Sequence, residues 1–393
     1  MIKKLTFRNF YSFYEKTEID FSVNKKPALT YFDTEIGEHR LNKALAVIGP
    51  NGSGKTQLLR PLVFLHWFMS SSFDRLKADE TIPFSPHMLH AEEPSSIEYE
   101  FLLNGKEYKY SLELTEEHVI SEALFEKTSR AFSYIFKRER TGDTYTYKYK
   151  NFSFTNKLAD NLKANCSIIS AALVYKAESV DFLFQFLNSL GSNVRHYGRN
   201  DYHDADLIDC GSFYNEYPST FEYATRILKD MDLGIDDIEL KEIQQMNDSG
   251  EEETVFYPFV HHTTGKLGFA LPMLNESSGT KSAFVLLRTL LPVLEDGGIA
   301  VVDEIDNDLH PHMLPFLLDL FKFEHTNPHN AQIIFTCHTP EALNLLKKHQ
   351  IYLVEKINLE SEAWRADEIE GLRPDDNLYA KYNAGALDAV PNI

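Results

Sequence analysis

The stretch AVIGPNGSGKTQLL, residues 46–59, sets three glycines, an asparagine and a lysine directly behind a short apolar run. Residues 44–48 are small, β-branched and apolar, which reads as a buried strand, and residues 56–64 carry helical spacing. Between them G-x-x-x-x-G-K-T falls on Gly49, Gly54, Lys55 and Thr56. Glycines at these places let successive backbone N–H groups curl around an anion. The following helix points its positive end at the same spot. Lys55 is then placed to reach the β- and γ-phosphates of a nucleotide, and Thr56 to ligate Mg²⁺. The residues expected to cradle the nucleotide are Gly49, Pro50, Asn51, Gly52, Ser53, Gly54, Lys55, Thr56 and Gln57.

A second half of such a site is present downstream. In IAVVDEID, Asp303 and Glu304 end an apolar strand, where a carboxylate can reach the metal of a P-loop on a neighbouring strand. Asp303 is expected to hold Mg²⁺ and Glu304 to polarise the attacking water. In FTCHTPE, His338 ends the next apolar strand, within reach of a γ-phosphate. The catalytic set expected from the sequence is therefore Glu304, His338 and Lys55, with Thr56 and Asp303 on the metal. In NESSGTKSAFVLLRTLL, Ser277, Ser278, Gly279 and Thr280 open an amphipathic helix. On their own these four residues fit a plain N-cap as well as a second anion site.

The chain has 393 residues and a formal net charge of −20, a balance that speaks against broad, stand-alone nucleic-acid binding. Cys166, Cys210 and Cys337 are scattered, without disulfide or metal-ligand spacing. The opening MIKKLTFRNF lacks an apolar signal segment, and no apolar run is long enough for a membrane span. A soluble, cytoplasmic protein is expected, with no membrane partner.

An α/β class is expected, with α/β text at both ends enclosing a middle of different character. Residues 1–96 hold the P-loop part of the core. Residues 97–155 read as an antiparallel β-subdomain, with an Asn104-Gly105 hairpin turn between two alternating runs. Residues 156–233 read as a mainly helical insertion, with a polar loop or lid over 200–211. Residues 234–393 complete the core. PEALNLLKK, from Pro340, has helical spacing.

As a set, the P-loop, the S-S-G-T turn, D-E at a strand end, NDLHP and C-H-T resemble the motifs of ABC-type ATPase heads. The order resembles the RecF/SMC/OLD branch, and most of all the abortive-infection ATPases of the AbiL type. Their opening NFRSF has its counterpart in NFYSF, residues 9–13, and their tail in LYAKYNAGALDAVPNI. Tyr11 stands where relatives often carry a basic residue, and no glutamine loop is evident. The resemblance implies a P-loop NTPase of ABC-head type that hydrolyses ATP with Mg²⁺. It further implies a head-to-head homodimer in which each ATP lies between one subunit's P-loop and the other's Ser277–Thr280 turn. Such heads regulate a nuclease or toxin. Here that effector is expected to be separately encoded, as part of antiphage defence, with nucleic acid at most an indirect partner. The alternative is a RecF-like repair ATPase that binds DNA directly.

Overall fold

A computed structural model describes residues 1–150, 152–153, 159, 162–195, 197–200, 202–231, 233–246, 250–264, 267–310, 312–373 and 376–387. The strand Ala44–Ile48, buried at all five positions, lies inside a six-stranded sheet. The order across that sheet is Leu190–Ser192, Ile299–Val302, Gln332–Thr336, Ala44–Ile48, Ile351–Ile357 and Glu360–Arg365. Every pairing is parallel except the last, which is an antiparallel hairpin.

Alternation along these strands divides the core in two. Ala44, Ala46, Ile48, Ala300, Val302, Ile333 and Phe335 face one apolar cluster; Leu45, Val47, Ile299, Val301 and Ile334 face the other. A parallel sheet covered on both faces reads as continuous apolar text, which is what the sequence shows.

One face carries the helix Lys55–Arg75. Its Leu58, Leu59, Leu62, Phe64, Leu65, Phe68 and Met69 are all buried in a cluster shared with a second sheet. That sheet has seven antiparallel strands, in the order Thr144–Tyr149, Phe132–Thr141, Val119–Lys127, Lys106–Leu114, Ser95–Leu103, Ile2–Arg8 and Thr17–Asp20. The P-loop helix is thus packed between two sheets, which explains why apolar residues occupy more than one of its faces. The Asn104-Gly105 turn joins two of these strands, with Asn104 at φ 51°. Two N-terminal strands complete the sheet, so it is not confined to 97–155. Residues 151 and 154–155 lie outside the described residues.

The opposite face carries the helix Ser278–Asp296 and the helix Met313–Lys322. A three-stranded antiparallel sheet, Asp237–Met246, Glu252–Thr264 and Leu267–Pro272, leads into the first of these.

The segment 156–233 does not form a separate module. Its helix Ile168–Val174 is tied to the P-loop helix: Ser167 N–H donates to Ser72 Oγ and Phe73 N–H to Ser170 Oγ, each at 2.9 Å. Leu190–Ser192 is an edge strand of the central parallel sheet. Tyr214, on the helix Asp206–Glu216, donates its hydroxyl to the Phe284 carbonyl on the helix Ser278–Asp296. The expected loop at 200–211 is also corrected. From Asp206 it is helical, with Leu207 and Cys210 fully buried, because those two residues supply the apolar face that meets the core. The helix expected from Pro340 is only the 3₁₀ turn Pro340–Asn344. Of the tail, Leu378–Asn383 is helical and 388–393 lies outside the described residues.

Candidate nucleotide site

The P-loop leaves the strand Ala44–Ile48 and enters its helix through Gly54, at φ 111°. A Cβ there would stand 2.4 Å from Ser361 Oγ and 3.0 Å from Ser12 Oγ, so only glycine fits. Ser361 Oγ in turn donates to the Ser53 carbonyl at 2.6 Å and lies 2.7 Å from Ser12 Oγ. The NFYSF turn and the antiparallel edge hairpin therefore support the loop from below. Tyr11 in that turn is buried, and Arg60 of the P-loop helix lies over its ring at 3.6 Å.

Lys55 is buried, and its ammonium donates to the carbonyls of Gly49 at 2.8 Å and Pro50 at 3.1 Å. Burial lowers its pKa, and the Asp303 carboxylate opposes that shift. Ser53 Oγ and Gln57 Oε1 are shielded from solvent and have no hydrogen-bond partner among the described residues. The Ser53 hydroxyl can donate to a phosphate oxygen, whereas Gln57 Oε1 is an acceptor and suits a water or a cation beside the phosphates.

Thr56 Oγ1 donates to Asp303 Oδ2 at 2.7 Å, which brings the two expected metal ligands together. The strand carrying Asp303 is not next to the P-loop strand, however. Gln332–Thr336 runs between them. Its last residue bridges the gap: Thr336 Oγ1 donates to Asp303 Oδ1 at 2.6 Å and accepts the Glu304 N–H at 2.6 Å. Asn193 holds the same point from the other side, accepting the Asp303 N–H at 2.8 Å and donating to its carbonyl at 2.9 Å. A hydroxyl and a carboxylate in contact, with oxygen as the only donor type, suit Mg²⁺. Thr56 and Asp303 would hold it, and it would neutralise phosphate charge.

Glu304 has φ 50°, a left-handed backbone that non-glycine residues seldom adopt. The turn is held by Glu304 N–H and by Ile305 N–H, which donates to the Thr336 carbonyl. His338 Nε2 lies 3.0 Å from Glu304 Oε1, and the Arg199 guanidinium pairs with Oε2. The His338 loop is fixed by Asp306, whose carboxylate accepts the N–H groups of His338 and Thr339.

Ser277 caps the helix Ser278–Asp296: its Oγ accepts the Thr280 N–H at 3.1 Å. Ser277 and Ser278 are exposed, Gly279 is half-buried and Thr280 is buried. A Cβ on Gly279 would stand 2.8 Å from the Asp308 carbonyl, so glycine lets this turn close on the NDLHP segment. Among the described residues no hydrogen bond joins 277–280 to the loop 49–57 of the same chain.

A family model described as "AAA domain, putative AbiEii toxin, Type IV TA system" matches residues 45–344, more than half of the chain. The chain belongs to this family. No curated protein matches the chain. Members of the AbiEii-type AAA family are P-loop ATPases linked to abortive-infection and toxin–antitoxin systems. The matched span begins in the P-loop strand and ends past His338, so it contains the P-loop, Asp303, Glu304 and His338, while the supporting Ser12 and Ser361 lie outside it. Among the described residues, no helix is long and apolar enough to cross a membrane.

Several residues at this site carried no sequence signal of their own. Asn193 and Arg199 lie in text that looked like an insertion, and Ser361 lies far from any motif. Thr336 and Asp306 did stand inside the quoted FTCHTPE and IAVVDEID stretches. Their neighbours' roles hid their own. Elsewhere Glu38, His39 and Glu107 lie close enough to share a metal ion, but Glu107 already accepts from Lys3 and Lys127, and Lys127 also reaches Glu38.

Proposed function

We propose that this protein is an ATP-hydrolysing head of the ABC type, close to the AbiL-type abortive-infection ATPases. It closes as a head-to-head homodimer around Mg²⁺-ATP and thereby controls a separately encoded nuclease or toxin. The observation that carries the reading is the Thr56–Asp303 contact, with Glu304 next along the chain. It joins the P-loop to a carboxylate pair across an intervening strand, the arrangement that in-line phosphoryl transfer to water requires.

In this reading Lys55 and the loop N–H groups bind the phosphates. Thr56 and Asp303 hold the cation. Glu304 orients the attacking water, and His338 positions Glu304 and meets the γ-phosphate. The Ser277–Thr280 turn, exposed at Ser277 and Ser278, completes the site of a second head. The formal charge of −20 favours control of a protein effector over direct loading on DNA.

Glu304→Gln tests the reading. It keeps shape and removes the carboxylate. The variant should bind ATP, accumulate as a dimer on size-exclusion chromatography, and turn over about 10²–10⁴-fold more slowly. Turnover at the parent rate would remove Glu304 from the mechanism. Assays with and without DNA separate a repair role, and plating efficiency of phage on cells with the native neighbouring genes tests the defence role.

A further inference from the structure

Both carboxylate oxygens of Glu304 are engaged by basic side chains. His338 Nε2 lies 3.0 Å from Oε1, and Arg199 pairs with Oε2. Each oxygen keeps a second lone pair, but a carboxylate whose charge is already matched by a cation is a weaker base towards water and is less free to turn to it. Arg199 supplies a planar fork that engages carboxylates strongly and directionally. The Arg199 pair therefore weakens Glu304 as a water-orienting base for as long as it is closed.

The position of Arg199 shows how it could open. Arg199 ends a two-strand ribbon, Val194–Arg195 paired with Gly198–Arg199, that follows the edge strand Leu190–Ser192. One end of the ribbon is pinned at Asn193, through its two bonds to Asp303. Its body rests against the P-loop helix Lys55–Arg75, and Tyr197 at its turn is exposed. The ribbon thus touches the element whose N-terminus would receive the phosphates.

There is also space for the guanidinium to move into. Arg199 and Glu304 line a cleft of about 450 Å³ between the edge strand and the helix Ser278–Asp296. Asp206, Asp209 and Asp296 line the same cleft. These carboxylates are alternative partners for a displaced Arg199, which makes a two-position arrangement affordable in free energy.

We propose that Arg199 is a latch on Glu304: it occupies the carboxylate in the resting head and swings into the neighbouring cleft when nucleotide seats on the P-loop helix, leaving Glu304 free. This rests on the reading of Glu304 as the group that orients water. Arg199 is then a positioning residue whose effect on hydrolysis is inhibitory.

The test is steady-state ATP turnover of the full chain bearing Arg199→Gln, which keeps hydrogen-bonding capacity and drops the charge. With the latch, kcat rises roughly tenfold, the weight of one charge-assisted hydrogen bond, while the KM for ATP stays near the parent value. Arg199→Lys should fall between the two. Arg199→Gln combined with Glu304→Gln should be as slow as Glu304→Gln alone. A kcat for Arg199→Gln equal to or below the parent, in protein whose melting temperature and ATP affinity match the parent, overturns the latch and makes Arg199 a structural or directly assisting group. If Arg199→Gln does not fold, Arg199→Lys carries the test, and a kcat at or below the parent overturns the latch. The underlying reading fails separately, when Glu304→Gln alone keeps the parent rate.

Discussion

Thr336 and Asp303 share a 2.6 Å hydrogen bond across two parallel strands, and the same hydroxyl accepts the N–H of Glu304. One side chain thus sets both the direction of the candidate metal ligand and the left-handed turn that presents the candidate water-orienting carboxylate. The strand Gln332–Thr336 that separates the P-loop strand from Ile299–Val302 is for that reason part of the site as well as of the sheet.

Thr336→Val follows from this directly. Valine keeps the β-branched shape at a fully buried strand end and loses only the hydroxyl. Asp303 Oδ1 and the Glu304 N–H would each lose a partner, at a cost of about 1–3 kcal/mol per buried group. Part of that cost falls on stability and part on the geometry of catalysis. The melting temperature should drop, and kcat should fall by about tenfold or more with less change in KM. Thr336→Ser should recover most of both. Parent kinetics in Thr336→Val would mean that Asp303 and Glu304 hold their positions without it.

Lys55→Ala removes the one buried ammonium at the loop. In the protein that ammonium is held by the carbonyls of Gly49 and Pro50, so it has to turn from them to reach a phosphate. The lost charge-assisted contacts should weaken ATP binding by roughly tenfold to a hundredfold in calorimetry. Unchanged affinity would take the nucleotide elsewhere.

The central sheet was legible because its strands are covered on both faces and so read as uninterrupted apolar runs. The P-loop was legible because it requires glycines and a lysine at fixed spacing. The hairpin at Asn104-Gly105 was legible from its turn chemistry. The mainly helical character of 156–233 was legible, but its edge strand was not: Leu190–Ser192 has three residues, too short to show a period, and only its pairing with Ile299–Val302 reveals it. Asn193 and Arg199 act on Asp303 and Glu304 from more than a hundred positions away in sequence. Nothing local to them signals that contact. The lid expected at 200–211 failed because its polar residues conceal Leu207 and Cys210, which are enough to bury one face of a helix. The order of strands was hidden too, since sequence proximity of Asp303 to the next strand says nothing of which strand lies beside the P-loop.

His66 makes the joint between the P-loop helix and the antiparallel sheet sensitive to acid. It is fully buried; its Nε2 meets the Tyr99 hydroxyl at 2.8 Å and its Nδ1 faces the Leu187 carbonyl at 3.4 Å. Burial pushes its pKa down to about 4 from 6.5. The unfolded chain therefore takes up the proton first. The neutral ring's contribution is fully present above pH 6.5 and is lost as pH falls from 6.5 towards 4, up to roughly 3 kcal/mol. His66→Gln should be less stable than the parent at pH 7, and the gap in melting temperature should narrow by pH 4.5. A gap that stays constant over that range would show that His66 does not titrate on unfolding.

Ser277→Arg tests whether the turn at the start of the helix Ser278–Asp296 serves another molecule's nucleotide. Ser277 is exposed and caps its helix, so an arginine there loses the cap, worth about 1 kcal/mol, and projects a bulky cation from the surface. Ser277→Asn keeps a capping side chain and separates the two effects. In a shared site, Ser277→Arg protein still binds ATP through its own Lys55 but neither dimerises on ATP nor hydrolyses it. Lys55→Ala protein fails for the opposite reason. In a mixed dimer of the two, one site carries both lesions and the other has an intact Lys55 facing an intact Ser277. Mixing two inactive proteins should therefore restore turnover, to at most one working site per dimer. If Ser277→Arg hydrolyses ATP normally as a monomer, each head works alone and the turn is only a helix cap.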